Sequence, residues 1–124
     1  MFSLPLVMIG GALGAGARYL VGRWLLALLG PGYPWGTLAV NLFGGLAMGL
    51  LVGAMARLSA GEGVRLFLAV GVLGGFTTFS AFSLEVVAMI ERGAAVAALG
   101  YALVSVIGAV VALFAGLAVA RVMA

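Results

Sequence analysis

Apolar runs long enough to cross a bilayer follow one another along almost the whole chain, parted only by short stretches holding Gly, Pro, Arg or Glu. A crossing helix needs about 20 apolar residues, so 124 residues hold four crossings with short connections. Charged residues make up 7% of the chain, against roughly 25% in soluble domains. With mean hydropathy +1.38, too little polar surface exists to dissolve the folded chain. The expectation is an all-α integral membrane protein, multi-pass in the cell membrane, with residues 1–124 forming a single four-helix domain.

The missing residue types narrow the chemistry. No Cys and no His occur, which removes disulfides, thiolate chemistry, imidazole catalysis and the usual zinc or haem ligands. Lys, Asp and Gln are absent too, leaving six Arg and three Glu. The net charge of +3 therefore comes from Arg alone, and juxtamembrane Arg at helix ends accounts for it better than a nucleic-acid partner. The start, Met1-Phe2-Ser3-Leu4-Pro5, lacks a basic region, which argues against a cleaved signal peptide.

The spans are expected at about 4–29, 36–56, 64–90 and 94–119. In the first, Gly10 and Gly14 form a small-xxx-small pair suited to close helix approach. Arg18 falls inside this span, where it faces protein or a water-filled vestibule or snorkels to the interface beside Tyr19. Residues 30–35, Gly-Pro-Gly-Tyr-Pro-Trp, form a turn with aromatic rings for the headgroup level. The second span carries Thr37 and Asn41 one turn apart, then Gly45 and Gly49. The fourth carries Tyr101 and Ser105. Glu62 and Glu91 are expected in connections, with Glu85 toward the end of the third span. If the spans alternate, Arg57, Arg65 and Arg121 share one side, facing Arg23, Arg92 and, depending on its direction, Arg18. Three against two or three selects no orientation, so insertion in both directions, with head-to-tail pairing, stands beside a single orientation.

Residues 71–85 concentrate what the rest of the chain avoids: Gly74-Gly75, Thr77, Thr78, Ser80, Ser83, and Phe76, Phe79 and Phe82. Hydroxyls and a glycine pair at membrane depth are costly unless something uses them. Phe79 and Phe82, at i, i+3, can present positive ring edges to an anion. Asn41, the only Asn, either glues helices together or donates to a passing anion or water. Glu85 keeps open a small multidrug-type, proton-coupled transporter, although that class centres on a first-span carboxylate and none is present. A purely structural membrane subunit is the other alternative.

Three segments together resemble the Fluc (CrcB-type) fluoride channel family. Gly10-Gly11-Ala12-Leu13-Gly14-Ala15-Gly16-Ala17-Arg18-Tyr19 is similar to its GGxxGAxxRY. Gly36-Thr37-Leu38-Ala39-Val40-Asn41, followed by Gly44, is similar to GTLxVNxxG. Gly74-Gly75-Phe76-Thr77-Thr78-Phe79-Ser80-Ala81-Phe82 is similar to GGxTTFSTF. The resemblance implies passive fluoride export through an antiparallel, dual-topology homodimer in the bacterial plasma membrane, with two pores along the subunit interface. It implies a third helix broken near its middle, at Gly74–Thr77, whose freed Gly74 and Thr77 carbonyls hold a structural sodium ion. Asn41, Phe79 and Phe82 match pore positions, as do Ser80, Thr37, Tyr101 and Ser105 less closely, and Arg18 matches a vestibule arginine. Ala81 departs from the pattern by lacking the usual Thr hydroxyl, and no further hydroxyl follows Ser105 in the fourth span.

Overall fold

The computed structural model describes residues 3–123, which places Met1 and Phe2 of the signal-peptide argument outside it. Helix is the regular structure of the described residues, with no strand among them, and four stretches are long and apolar enough to cross a membrane. Helix α1 is Ser3–Leu29 and α2 is Trp35–Leu58. The third crossing, Glu62–Glu91, consists of α3 (62–76) and α4 (Ser80–Glu91). Helix α5, Ala95–Val122, completes the bundle. The protein is a multi-pass membrane protein.

Local chemistry sets the ends. Gly30, at φ 77°, takes the left-handed conformation that ends α1, and its N–H donates to the Leu26 carbonyl at 2.9 Å. Pro31 and Pro34 prevent the helix from resuming before Trp35. At the other end of α2, Arg57 Nη1 donates to the Ala120 carbonyl of α5 at 2.5 Å, placing a cation on a helix C-terminus. Glu62 and Glu91, expected in connections, instead open α3 and close α4. Glu62 suits the first turn, where a carboxylate meets the positive helix end, and it pairs there with Arg65.

Packing rests on backbone approach at small residues. Between α2 and α5, the most extensive interface, a Cβ at Gly45 would lie 2.7 Å from the Ala109 carbonyl oxygen. Gly49 lies closer still against the Leu113 carbonyl. Between α1 and α3, a Cβ at Gly10 would come within 2.5 Å of the Phe67 carbonyl, and one at Gly14 within 2.8 Å of the Phe76 nitrogen. In lipid, where apolar burial drives no association between helices, such close contact is what holds them together. The α3 backbone meeting these glycines is π-helical over Arg65–Leu73, a long run for a geometry that usually lasts one turn. Leu38, Phe82, Met89, Ala98 and Tyr101 form the buried cluster among α2, α4 and α5, while few residues of any span are fully buried.

The third crossing is broken as expected, at the far end of the Gly74–Thr77 stretch. Gly74 keeps helical angles, φ −63° and ψ −38°, and the helix runs through Phe76. Thr77 is the first extended residue, at φ −82° and ψ 157°, and helix resumes at Ser80. Glycine permits a break without forcing one; the cause lies on α2.

Candidate functional site

Asn41 supplies that cause. Its Nδ2 donates to the Thr78 carbonyl at 3.0 Å, and the Thr78 N–H donates to its Oδ1 at 2.9 Å. In a continuing helix the Thr78 N–H would donate to the Gly74 carbonyl instead. One turn on, the Ala81 N–H donates to Thr78 Oγ1 at 3.1 Å rather than to the Thr77 carbonyl. The two diversions strip the Gly74 and Thr77 carbonyls of their helical donors. Gly75 also loses its donor, and there Arg18 Nε takes over, donating to the Gly75 carbonyl at 3.3 Å. Thr77 Oγ1 folds back onto the Leu73 carbonyl at 3.0 Å, ending α3. Gly44 faces this turn closely, and its missing side chain makes room for the Thr77 methyl.

Beside the break lies a cleft of about 410 Å³ between α2, α4 and α5. Asn41, Thr77, Phe79, Phe82 and Ser105 all line it, and no charged side chain does. Ser105 is 4% exposed and its hydroxyl oxygen has no hydrogen-bond partner, an uncommon state for a buried polar atom. The Phe79 and Phe82 ring centroids are 5.6 Å apart and tilted by 45°. Phe82 is buried, whereas Phe79 is 76% exposed on the single chain. Asn41 spends one amide hydrogen and one oxygen lone pair on Thr78, and keeps a second N–H.

The remaining sequence-predicted residues lie around this cleft. Tyr101 is fully buried, with its ring 5.3 Å from Phe82 and its hydroxyl donating to Glu85 Oε1 at 3.2 Å. Ser80 Oγ lies 3.4 Å from Thr78 Oγ1, outside the cleft lining. Thr37 lies one turn from Asn41 but borders two neighbouring clefts. One, of about 270 Å³, includes Arg18, Tyr19, Arg23 and Thr78. The other, of about 300 Å³, includes Tyr33, Trp35, Glu85 and Arg92. Gly74 is exposed on the surface of the chain. The sequence reading missed Thr78, whose backbone and hydroxyl organise the break, and the Tyr101–Glu85 pair. The adjacent Thr77-Thr78 was the available signal for the first; the second joins residues on different helices, with no local pattern to mark it.

Among the described residues no group of His, Cys, Asp or Glu could hold a metal ion. A cation at the break would have to be held by backbone oxygens. Neutral carbonyls suit a hard cation such as sodium, and the undonated Gly74 and Thr77 carbonyls fit that need.

The chain is similar to known proteins over nearly its whole length. The family described as "CrcB-like protein, Camphor Resistance (CrcB)" matches residues 5–117. The chain is 56% identical over 121 residues to the fluoride-specific ion channel FluC of Mesorhizobium japonicum, covering 98% of both chains. It is 57% identical over 122 residues to the protein of that name from Sphingopyxis alaskensis, covering 98% of this chain and 97% of the relative. For the namesake from Phenylobacterium zucineum the identity is 59% over 123 residues, with coverage of 98% and 97%.

Proposed function

The chain belongs to the CrcB-like family, and from that membership together with the uncharged cleft we propose that it is a fluoride-specific ion channel, not an enzyme. The observation that carries the reading is Ser105: a buried hydroxyl without a partner, facing the same cleft as Phe79, Phe82 and the spare Asn41 N–H. Fluoride is small and strongly hydrated, so its permeation is limited by loss of water. A pore must offer replacement donors without a fixed charge that would trap the ion. An amide N–H, a hydroxyl and two ring edges meet both conditions.

The finer reading is an antiparallel, dual-topology homodimer with two pores along the subunit interface. The exposed Gly74 backbone supports it, because its undonated carbonyl is poorly matched to lipid and suited to burial against a second copy. In that assembly Gly74 and Thr77 of both copies would hold sodium through their carbonyls, and the bound ion would supply the positive charge that these oxygens lack. Thr37, Ser80 and Tyr101 would extend the polar route from the cleft toward the Arg18 and Arg92 sides.

The test is fluoride efflux from liposomes containing the purified protein. Fluoride should pass and chloride should not, with no effect of an imposed pH gradient. Flux surviving the double change Phe79→Ile, Phe82→Ile would defeat the assigned pore.

A further inference from the structure

We propose that Arg18 is a positioning residue of the helix break, fixing which carbonyls stay open for a cation, and not solely a charge that draws anions into the vestibule. The role rests on the cation reading of Gly74 and Thr77 given above.

The geometry starts on α1. Gly10, Gly14 and Arg18 follow one another at i, i+4 and i+8, so they lie along one face. The two glycines bring this face into backbone contact with α3 at Phe67, Gly71, Val72 and Phe76. One further turn along the face, Arg18 arrives at the end of α3. There the chain leaves the helix at Thr77, so no Phe79 N–H reaches back to Gly75. An undonated carbonyl at membrane depth is costly, and the part-buried Arg18 Nε donates to the Gly75 carbonyl.

This contact sorts the oxygens released at the break. Asn41 claims Thr78 and Arg18 claims Gly75, each from a different helix and on a different side. Gly74, Phe76 and Thr77 are left without donors, and of these the Gly74 and Thr77 carbonyls are the two of the cation reading. Removing Arg18 adds the Gly75 oxygen to those already open and releases the α1 side of the break, which loosens the spacing of Gly74 and Thr77. A lysine cannot take over: its flexible ammonium carries the charge but has no fixed N–H fork to aim at one carbonyl.

The two roles for Arg18 separate experimentally. A vestibule charge acts through a field, which salt screens at about 1 M and which Lys reproduces. A positioning contact is neither screened by salt nor reproduced by Lys. Thermal stability of the purified protein is followed as N-methylglucamine is replaced by sodium, for the wild type, Arg18→Met and Arg18→Lys. We expect the sodium concentration giving half the protection to rise about tenfold in both variants, the size of one lost charge-assisted hydrogen bond. In liposomes, the deficit of each variant in fluoride efflux should be the same at about 0.05 M and about 1 M ionic strength. A sodium midpoint unchanged from wild type, or a deficit that salt or Lys abolishes, overturns the positioning role. A wild type indifferent to sodium overturns the cation reading itself, and this role with it.

Discussion

Asn41 holds Thr78 by both of its backbone groups, donating to the carbonyl at 3.0 Å and accepting from the N–H at 2.9 Å. A side-chain amide thus takes the place of a neighbouring strand for one residue, in a setting where no water satisfies the freed backbone. The helix-glue and anion-donor readings of Asn41 do not exclude each other, because the amide retains a second N–H after gripping Thr78. Asn41→Asp swaps the donor for an oxygen facing the Thr78 carbonyl. Its cost should be about 1–3 kcal/mol, read as a lowered unfolding midpoint, together with loss of fluoride efflux. Wild-type stability in Asn41→Asp would show that the break holds without this grip.

Glycines on α1 divide into two sets that mutation should separate. A Cβ at Gly14 would lie 2.8 Å from the Phe76 nitrogen and closer still to the Val72 carbonyl, whereas one at Gly16 meets nothing within 4 Å. Gly14→Ala must push α1 from α3 and should cost about 1–3 kcal/mol. Gly16→Ala should be neutral or stabilise by up to about 1 kcal/mol through helix propensity. Thermal unfolding of the two variants side by side checks this, and equal effects would mean that α1 is not seated on α3 at Gly14.

The fold class was readable from the sequence because the bilayer sets helix length and leaves few alternatives. The bend in the third crossing was readable because hydroxyls and paired glycines stand out in an apolar run. Where within Gly74–Thr77 it opens was not: Gly74 stays helical, and the break opens at Thr77, where a side chain on α2, 37 residues from Thr78, captures the Thr78 backbone. Periodicity also put Thr37 on the same face as Asn41, yet the two border different clefts. A Cβ at Gly36 would lie 2.9 Å from the Gly22 Cα, so α1 crosses α2 closely beside Thr37, and Thr78 lines both Asn41's cleft and one of those that Thr37 borders. Contacts of backbone with side chain, and of backbone with backbone, leave no mark in residue type alone.

Glu85 illustrates the same limit and yields its own test. As a lone carboxylate it suggested proton coupling, but it accepts a hydrogen bond from the buried Tyr101 hydroxyl at 3.2 Å. Glu85→Gln keeps an acceptor oxygen there and should leave fluoride efflux independent of a pH gradient. Tyr101→Phe removes the donor and should cost about 0.5–1.5 kcal/mol. Proton-driven efflux of a quaternary cation by the wild type, abolished in Glu85→Gln, would instead support the multidrug-type transporter.

Ser105 separates stability from function most sharply. Its hydroxyl is buried and has no partner in the protein, so Ser105→Ala removes a polar atom that gains nothing from its surroundings. Replacing an unsatisfied buried group by an apolar one of similar shape is close to neutral or stabilising. If the hydroxyl serves fluoride, its loss takes away a donor at the step where water has been stripped, and efflux should fall by about tenfold, equivalent to about 1.4 kcal/mol at the barrier. The pair of measurements is informative because the two effects have opposite signs. A variant that is as stable as wild type and conducts as well would leave the Ser105 hydroxyl without a function in permeation. A variant that is less stable would mean that the hydroxyl has a structural partner. Only unchanged or raised stability with slowed fluoride efflux fits a donor held ready for the ion.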